Sequence, residues 1–435
     1  MMSHQNRLLI DSLFLQLKQE SEKHFNQEII LLESQQPGHP SSVNTYIAAF
    51  PKRSIQSTNL NVTVIDGEDK IEFVANPWDA LQKFRNNRKS WLFGYLGYDL
   101  KNSIENVKSN NNPLTNLPDL FMMEPSVLLK VSNGEVESII GPEYSYVENE
   151  EISECLVKDF KPHIIRDEYI GKVKQIQHQI KEGDFYEMNF SYPMTGTFEG
   201  DSFELYRKMR EINPVPFGAY LSFAGSSVCC ASPERFLKKS GSKIVSEPIK
   251  GTSARSTNKV TDKKLREELR SEKNQAENLM IVDLVRHDFS KVSRTGSVNV
   301  TKLYDIQTFG TVHQLISRVE GELKEKVDSV DALKSCFPMG SMTGAPKLRV
   351  MQEIEHHEEY RRGIYSGAIG YFTPNDNVDF NVVIRTAVIE GNSLVYPVGG
   401  AITGDSVPEK EWEETIIKAK TITKAIEKLF IENPP

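Results

Sequence analysis

Alternation of apolar and polar residues along this chain indicates many short strands, interrupted by amphipathic helices. The run Ile29-Ile30-Leu31-Leu32-Glu33-Ser34 predicts a buried strand, and Trp91 to Asp99 predicts an aromatic strand with glycines three residues apart. Glycine inside a strand suggests close approach of another backbone, or a bulge. The same alternation predicts strands at Tyr46–Phe50, Asn61–Val64, Ser126–Val131, Glu137–Ile140, Tyr186–Tyr192, Gly218–Phe223, Val228–Ala231 and Lys243–Val245.

Helical periodicity is clearest in the second half of the chain. A helix is predicted from Arg166 to Gly183, because apolar residues recur every three or four positions and a glycine follows. A C-terminal helix is predicted to start near Pro408. Its inward arc comprises Ala419, Ile422, Ala425, Ile426, Leu429 and Phe430.

Composition describes an ordinary soluble globular protein of 435 residues, with 38% hydrophobic and 26% charged residues. The formal net charge of −8 weighs against nucleic-acid binding. No apolar run approaches the roughly 18–20 residues that span a bilayer, so no membrane segment is expected. The four cysteines lack metal-ligand spacing and suggest no disulfide framework, which favours a cytoplasmic location. The acidic run from Glu148 to Glu154 predicts an internal boundary, with an N-terminal region at 1–150.

The stretch from Ser246 to Arg255 combines a strand end, a proline, a single lysine and a glycine. Pro248 blocks regular pairing, and Gly251 lets the backbone approach whatever lies beside Lys250. Lone loop lysines are usually solvated. The alternative is an amine held at a cleft, which becomes a nucleophile or base if desolvation or a nearby cation lowers its pKa.

Two acidic residues lie on a helix that is apolar on most of its circumference, between Ala276 and Arg286. A buried carboxylate is costly unless it is paired or metal-bound. Asp283 can pair with Arg286, three residues on along the same face. Glu277 has no equally obvious cation, which favours a functional role for it.

The C-terminal helix carries a second pair of carboxylates. Stepping about 100° per residue places Glu411 inside the apolar arc and Glu414 at its edge. Like charges at this spacing repel, so the pair is a poor choice for stability. Either the arc does not extend into the first turn, where acids favour the helix dipole, or the two residues bind a metal together with Glu277. Oxygen ligands without cysteine or histidine suit Mg²⁺.

Other candidates are individually weak. The glycine-rich stretch Val398 to Ser406 could hold a carboxylate through its backbone N–H groups, although such loops are more often plain turns. Glu234 is a candidate general acid, with an ion pair to Arg235 as the alternative. His313 fits either a site or a hydrogen-bonded core position. The run Glu355-His356-His357-Glu358-Glu359 is expected to be a solvated helix end.

Together these segments resemble the chorismate-utilising enzyme family, from Arg166 to Leu429 and more thinly before it. The resemblance implies an α+β fold like that of anthranilate synthase component I, in which two antiparallel β-sheets pack face to face with helices outside. The catalytic domain would span 166–430, interlocked with the N-terminal region. The motifs that carry it are Gly183-Asp184-Phe185-Tyr186-Glu187-Met188-Asn189, Ser232-Pro233-Glu234-Arg235-Phe236, Pro248-Ile249-Lys250-Gly251-Thr252, Ala276-Glu277-Asn278, Ile281-Val282-Asp283-Leu284, Gly344-Ala345-Pro346-Lys347 and Asp405-Ser406-Val407-Pro408.

Within this family the residue at Lys250 separates the members. Anthranilate synthases typically read Pro-Ile-Ala-Gly-Thr there, and aminodeoxychorismate synthases read Pro-Ile-Lys-Gly-Thr, as this chain does. The resemblance therefore implies conversion of chorismate and ammonia to 4-amino-4-deoxychorismate. The alternatives are anthranilate synthesis and a catalytically silent chorismate-binding subunit.

The resemblance also implies a role for each site residue. Lys250 would be the nucleophile and Glu234 the general acid. Magnesium would be held by Glu277 and Glu414, with Glu411 acting through a water. Substrate would be bound by Tyr365, Arg385, Gly399, Ala401, Lys418, His313 and Ser341.

Three departures from the family pattern, and one missing activity, complete the expectations. Glu187 stands where amide-transferring members usually have glutamine, Asn274 where an acid often binds the metal through water, and Ala401 where a glycine is usual. The chain has no Cys/His nucleophile pattern of a glutaminase. Ammonia would therefore come from a separate glutamine amidotransferase subunit.

Overall fold

The computed structural model describes residues 4–21, 28–36, 44–147, 154–308 and 312–432. Residues 148–153, which make up most of the acidic run expected at the internal boundary, lie outside the described residues. The α-helices of the described chain are α1 (His4–Ser21), α2 (Pro77–Asn87), α3 (Arg166–Glu182), α4 (Ser202–Ile212), α5 (Lys259–Glu268), α6 (Glu272–Val292), α7 (Ser329–Cys336), α8 (Lys347–His357), α9 (Pro408–Lys418) and α10 (Lys420–Glu432).

The β-strands carry most of the remaining chain. They are β1 (Ile29–Glu33), β2 (Thr45–Thr58), β3 (Asn61–Asp66), β4 (Asp69–Val74), β5 (Leu92–Leu96), β6 (Leu120–Ser132), β7 (Glu135–Ile140), β8 (Cys155–Pro162), β9 (Glu187–Gly200), β10 (Phe217–Phe223), β11 (Ser226–Ser232), β12 (Arg235–Ser240), β13 (Lys243–Glu247), β14 (Ile249–Ala254), β15 (Asn299–Thr308), β16 (Val312–Glu322), β17 (Gly344–Ala345), β18 (Ala368–Phe372), β19 (Val378–Asn381), β20 (Thr386–Glu390) and β21 (Ser393–Thr403).

All pairings between these strands are antiparallel, and they form two sheets that share β2 and β6. One sheet has the order β7-β6-β2-β1-β10-β11-β20-β21-β9-β8. The other runs β4-β3-β2-β6-β5-β18-β19-β12-β13-β16, with β14 and β15 also on β16. The register between β2 and β6 shifts between Pro51 and Arg53, where proline cannot donate to the ladder. The shared strands therefore carry the chain from one sheet into the other.

The two sheets enclose an aromatic and aliphatic core. Phe223 of β10 stacks on Phe121 of β6, with ring centroids 4.5 Å apart, and lies 5.7 Å from Tyr95 of β5. Helices α1, α3, α4 and α10 cover a second core on the outside of one sheet, and α2, α6 and α7 cover a third. The predicted α+β class, with antiparallel sheets and external helices, is confirmed.

Strands from the two ends of the chain alternate within the sheets. Strand β1 pairs with β10, and β5 pairs with β18. This interleaving agrees with two interlocked regions, although the boundary itself stays a prediction. No helix in the described part of the chain is both long and apolar enough to cross a lipid bilayer.

The C-terminal helix differs from the prediction. It is two helices, α9 and α10, that meet at Ala419, and Ala419 closes α9 with a helical backbone. The predicted arc holds for Ile422, Ala425 and Leu429, which are buried. Phe430, at the edge of the arc, is exposed.

Candidate active site

A cleft of about 700 Å³ gathers nearly all of the predicted site residues. Its walls come from β14, α6, β21, α9 and α10, together with the loop before β12. The predicted residues that line it are Glu234, Lys250, Glu277, Ser341, Tyr365, Arg385, Gly399, Ala401, Glu411, Glu414 and Lys418. These positions are far apart in the chain, so the interleaved sheets are what bring them together.

Lys250 lies on a bulge in β14. Ile249 pairs with Ile316 and Thr252 with Gln314, so the register slips between them. Gly251 takes a φ of 89°, a conformation that glycine adopts without strain. A bulge re-aims a side chain relative to its strand. The local sequence Pro-Ile-Lys-Gly thus directs the Lys250 amine into the cleft.

Two carboxylates contact that amine. Its Nζ lies 3.2 Å from Glu187 Oε1 and 3.4 Å from Glu277 Oε2. Burial lowers the pKa of Lys250, but Glu187 and Glu277 outweigh burial and raise the pKa above its usual value. The lowered pKa expected of a nucleophilic lysine is therefore not observed, because acids rather than cations surround the amine.

Glu234 has the opposite environment. It is buried beside Ser341, which hydrogen-bonds to it, in the loop between β11 and β12. Burial raises the pKa of Glu234 to about 7, against the lowering effects of Ser341, Lys250 and Arg385. A carboxyl group with this pKa is half protonated at neutral pH, as a general acid requires. Arg235, the alternative partner, instead pairs with Asp379 and Glu247.

The predicted metal carboxylates face the same cleft but are held by lysines. Lys273 Nζ lies 3.0 Å from Glu411 Oε1 and 3.7 Å from Glu277 Oε1. Lys418 Nζ lies 2.8 Å from Glu414 Oε1, and this lysine lowers the pKa of Glu414 to about 2. Over the described ranges, no three acidic, histidine or cysteine side chains are grouped closely enough to hold a metal ion. The magnesium site stays a prediction.

Glu277 still has a carboxylate oxygen without a hydrogen bond, beside its 3.7 Å ion pair with Lys273. Its Oε1 is buried and accepts no hydrogen bond, while the side chain as a whole is largely buried. Glu411 is also buried, as the helical arc predicted, and Glu414 is more exposed. Asp283, by contrast, lies on the surface and pairs with Arg286 at 2.8 Å, as its spacing predicted.

Arg385 supplies positive charge at another wall. Its φ of 52° is uncommon outside glycine, and such strain concentrates at functional sites. Burial lowers the pKa of Arg385, and the nearby acidic groups are Tyr396 and Glu234. Among the described residues no carboxylate forms an ion pair with its guanidinium. Arg385 is therefore available for an anionic ligand in the cleft, which the buried Tyr365 also lines.

The glycine-rich part of β21 faces α9. Gly399 and Ala401 pair with Ser191 and Asn189 of β9. Lys418 Nζ donates to Gly399 O at 2.8 Å, so this lysine ties the strand to the helix. A Cβ at Gly399 would lie 2.6 Å from Ser191 Cβ, which explains why glycine is needed there.

His313 does not line the cleft, contrary to the expectation. The side chain is buried, with Nε2 3.1 Å from Asp262 Oδ1 and Nδ1 2.8 Å from Thr308 Oγ1. Its neighbour Val312 lines the cleft instead. Adjacent residues of a strand point to opposite faces, which places the histidine behind the wall.

Sequence reasoning did not single out three lysines at the cleft. Lys273 lies one helical turn before Glu277, a spacing that could have revealed it as the missing cation. Lys420 and Lys424 line the outer part of the cleft at the same i, i+4 spacing on α10. Neither has an ion-pair partner in the part of the chain that the structure describes.

The run from Glu355 to Glu359 does end a helix, with His356 and Glu359 exposed, but it is not solvated throughout as expected. His357 and Glu358 are buried, and His357 Nε2 lies 2.7 Å from Gln179 Oε1. Glu355 Oε1 accepts the backbone N–H of Asn111 at 2.9 Å. The neighbouring charges suggested solvent, but their partners come from elsewhere in the chain.

Comparison with known proteins agrees with this geometry. The family model described as chorismate binding enzyme matches residues 27–424. Anthranilate synthase component 1 of Aquifex aeolicus is 33% identical over 468 residues, covering 97% of this chain and 93% of that protein. A probable chloroplastic aminodeoxychorismate synthase of Oryza sativa subsp. japonica is 44% identical over 267 residues, covering 60% of this chain but only 30% of that protein.

A solved structure gives the same result for the fold. Anthranilate synthase component I from Streptococcus pneumoniae TIGR4 superposes with a TM-score of 0.78 at 27% identity. The match covers 89% of this chain and 93% of that one. With the family match over nearly the whole chain and the predicted residues in one cleft, this protein belongs to the family of chorismate-binding enzymes.

Proposed function

We propose that this protein is an aminodeoxychorismate synthase, which converts chorismate and ammonia to 4-amino-4-deoxychorismate and water. The observation that carries the proposal is Lys250, aimed by its bulge into a cleft that also holds a buried acid, Glu234. The Oryza sativa relative, 44% identical over 60% of this chain, supports the same choice.

The chemical problem is the C4 hydroxyl of chorismate, which is a poor leaving group. The neutral Lys250 amine forms a bond from Nζ to C2, the two ring double bonds shift from C1=C2 and C5=C6 to C1=C6 and C4=C5, and the C4–O bond breaks. Glu234 gives its proton to the departing oxygen, which leaves as water. Ammonia then bonds to C4, both double bonds shift back, and the bond from C2 to Lys250 breaks. The ammonium group formed at C4 returns a proton to Glu234, so that the neutral amine of the product and the starting form of the protein result.

Lys250 must lose a proton before it attacks. Glu187 Oε1 lies 3.2 Å from its Nζ and can accept that proton. Burial raises the pKa of Glu187, which makes it a better base than an exposed carboxylate. In this proposal the carboxylate of Glu187, which departs from the family pattern, accepts the proton from Lys250.

Substrate carboxylates meet the two cationic walls. Arg385 and Tyr365 bind the enolpyruvyl carboxylate, where the planar guanidinium suits a bidentate grip. The backbone at Gly399 and Ala401, with Lys418, binds the ring carboxylate. Both sites line the cleft. At Arg385, no carboxylate of the described residues competes with the substrate for the guanidinium.

Magnesium would be held by Glu277 and Glu414, with Glu411 acting through a water, in place of the lysine contacts that these carboxylates now make. The unbonded, buried Oε1 of Glu277 is the observation that favours a cation there. When bound, the ion supplies positive charge that grips and polarises the ring carboxylate. Removing divalent ions with a chelator is expected to abolish turnover, and added Mg²⁺ to restore it, as measured by chorismate consumption.

The product decides between the proposed reaction and its alternatives. Purified protein with chorismate, Mg²⁺ and an ammonium salt is expected to form a compound that added aminodeoxychorismate lyase converts to 4-aminobenzoate. Anthranilate and pyruvate as products would replace the proposal with anthranilate synthesis, which the Aquifex aeolicus relative favours.

A silent chorismate-binding subunit is the remaining alternative. Lys250→Ala is expected to abolish chorismate consumption without abolishing binding. Binding by the unaltered protein with no consumption at any nitrogen source would support the silent subunit instead.

The natural nitrogen source would be a separate glutamine amidotransferase subunit. The name "component 1" of the Aquifex aeolicus relative is consistent with a second component. The expected result is glutamine-dependent turnover only when that partner is added, alongside ammonium-dependent turnover by the chain alone.

A further inference from the structure

A buried ion pair lies directly behind the cleft, between Glu358 and Arg362. Arg362 Nη2 is 2.6 Å from Glu358 Oε1, and its Nε is 2.8 Å from Glu358 Oε2. Both residues are at least 96% buried, and neither lines the cleft. The arginine also lies over the Tyr98 ring at 4.8 Å, so its planar group is packed as well as bonded.

The remaining donors of Arg362 reach three separate segments of the cleft wall. Nη1 donates to Met342 O at 2.7 Å and to Ser366 Oγ at 3.1 Å. Nη2 donates to Asn189 O at 2.9 Å. Met342 follows Ser341, and Ser366 follows Tyr365. One side chain thus joins the neighbours of two proposed substrate contacts to strand β9.

Glu358 extends the same contact to the glycine-rich strand. Its Oε1 accepts both the backbone N–H and the hydroxyl of Ser191, each at 2.7 Å. Ser191 pairs with Gly399 across β9 and β21, and its hydroxyl also lies 2.8 Å from Tyr360 Oη. Ser191 hydrogen-bonds to Tyr365 as well.

A buried ion pair contributes little net stability, because the desolvation of two charges offsets their attraction. Its geometry is nevertheless rigid, since a guanidinium has five donors in a fixed plane. Here that plane sets the distances of Met342 and Ser366 from Asn189, which lies more than a hundred residues before them in the chain. This arrangement matters more for the shape of a site than for the free energy of folding.

We propose that the Glu358–Arg362 pair is a positioning unit, which holds Tyr365, Ser341 and the Gly399 strand at the separations that chorismate requires. Neither residue touches the substrate. The proposal rests on chorismate binding in this cleft, and not on which product is formed.

The test compares two arginine-to-lysine variants at equally buried sites. Arg362→Lys keeps the charge but loses the planar fork. Arg53→Lys is the control, because Arg53 is 4% exposed like Arg362, pairs with Glu124 and donates to backbone carbonyls away from the cleft. Chorismate affinity is measured by calorimetry and folding by thermal unfolding, with kcat and KM in parallel.

We expect Arg362→Lys to weaken chorismate binding and raise KM at least about tenfold. Loss of the planar fork would displace the substrate-binding residues, and displacement of an oriented group by about 1 Å can lower the reaction rate on the order of 10²-fold. The Arg53→Lys control is expected to lower the melting temperature comparably and to leave the affinity of the folded protein unchanged. If Arg362→Lys does not fold, Ser366→Ala removes one contact of the same guanidinium, and a severalfold loss of affinity is expected.

Unchanged chorismate affinity in folded Arg362→Lys would overturn the positioning role and leave the proposed function intact. If Arg362→Lys does not fold, unchanged affinity in Ser366→Ala would have the same meaning. No binding by the unaltered protein would overturn both, since the pair would then have no substrate to serve. An equal loss of affinity in the Arg53→Lys control would show that general destabilisation explains the loss in Arg362→Lys. That result would also overturn the proposal.

Discussion

Glu234 and Lys250 share one cleft, and the surroundings of both favour the protonated form. Burial does this for Glu234, and the neighbouring carboxylates do it for Lys250. For an acid that must donate a proton this state is useful. For an amine that must attack a carbon it is inhibitory until the proton leaves. Activity should therefore fall with rising pH as Glu234 loses its proton, and rise with pH as Lys250 loses its own.

Replacing Glu234 with glutamine tests the acid. Because the pKa of Glu234 is about 7, the donating form is present below that pH and lost as pH rises through it. Activity that depends on this proton should fall above about pH 7. Glu234→Gln is expected to lower kcat by about 10²–10⁴-fold and to remove that limb of the pH–rate profile. An unchanged alkaline limb in the variant would assign it to another group.

Replacing Glu187 with glutamine tests the amine. The carboxylate raises the pKa of Lys250, so its neutralisation should lower that pKa and move the onset of Lys250 acylation to lower pH. Mass spectrometry of the protein labelled at a series of pH values measures this shift. The matched control is Glu413→Gln, an exposed residue of α9 that does not line the cleft. An equal shift in both variants would show that net charge alone is responsible.

At the residue scale, the sequence was enough to identify most residues of the site, but it did not predict which of the surrounding charged residues are buried. Lys250, Glu234 and Glu277 could be recognised because their local patterns are unusual. Glu358 could not, because its surroundings in sequence are charged and its burial depends on β9, which is far away along the chain. Glu358 also does not line the cleft.

At the element scale, the aromatic strand β5 shows why its glycines are spaced by three. A Cβ at Gly94 would lie 2.0 Å from Phe121 O, and one at Gly97 would lie 2.9 Å from Asp119 O. The predicted close approach of another backbone is confirmed. For Gly94 the neighbour is β6, one of the two strands shared by the sheets, and for Gly97, which follows β5, it is the residue just before β6.

Gly94→Ala should therefore destabilise the protein. The added methyl group cannot fit without shifting β5 away from β6, and overpacking of this kind costs about 1–3 kcal/mol or more. Gly171→Ala is the control, since an added Cβ at this position in α3 would have no neighbouring atom within 4 Å, and the change should be neutral or stabilising by about 0.5–1 kcal/mol. Urea unfolding of both variants measures the difference. Equal stability of the two would contradict the proposed steric conflict.

The break between α9 and α10 was not predictable from periodicity. The apolar arc continues across Ala419, because both helices bury the same side against the core. Only the backbone distinguishes two helices from one. The arc, which is defined by residues from Ala419 onward, still predicted the burial of Glu411 correctly, although that residue lies on the other side of the break.

At the scale of the whole molecule, a protein with a formal net charge of −8 binds a substrate that carries two carboxylates. Lys420 and Lys424 at the outer cleft offer a local field of the opposite sign, and such fields raise association rates. Replacing both with glutamine is expected to lower kcat/KM severalfold at low ionic strength. The difference should fade near 1 M salt, where the Debye length is about 3 Å.

The matched control replaces Lys83 and Lys89, which are exposed on and after α2 and do not line the cleft. It changes the net charge by the same amount. A similar loss in the control would mean that overall charge, and not the position of the two lysines, governs encounter with the substrate.

The fold class was predictable from the resemblance, but the joining of the two sheets was not. The strand at Tyr46–Phe50 was expected to be short, whereas β2 runs on to Thr58 across a bend at Pro51. Proline and a shift in alternation look like a strand end in sequence. Only pairing with β6, which has Pro125 opposite Pro51, keeps the strand continuous.

Strand β1 lies between β2 and β10, and this order has a consequence for synthesis of the chain. One neighbour follows within about fifteen residues, but the other is complete only at Phe223. During translation the apolar Ile29–Leu32 edge stays unpaired on that side until almost two hundred further residues have been made. Contacts of such long range slow folding. A nascent chain halted before β10 would present an open, hydrophobic strand edge, which chaperones or other copies of the chain can bind.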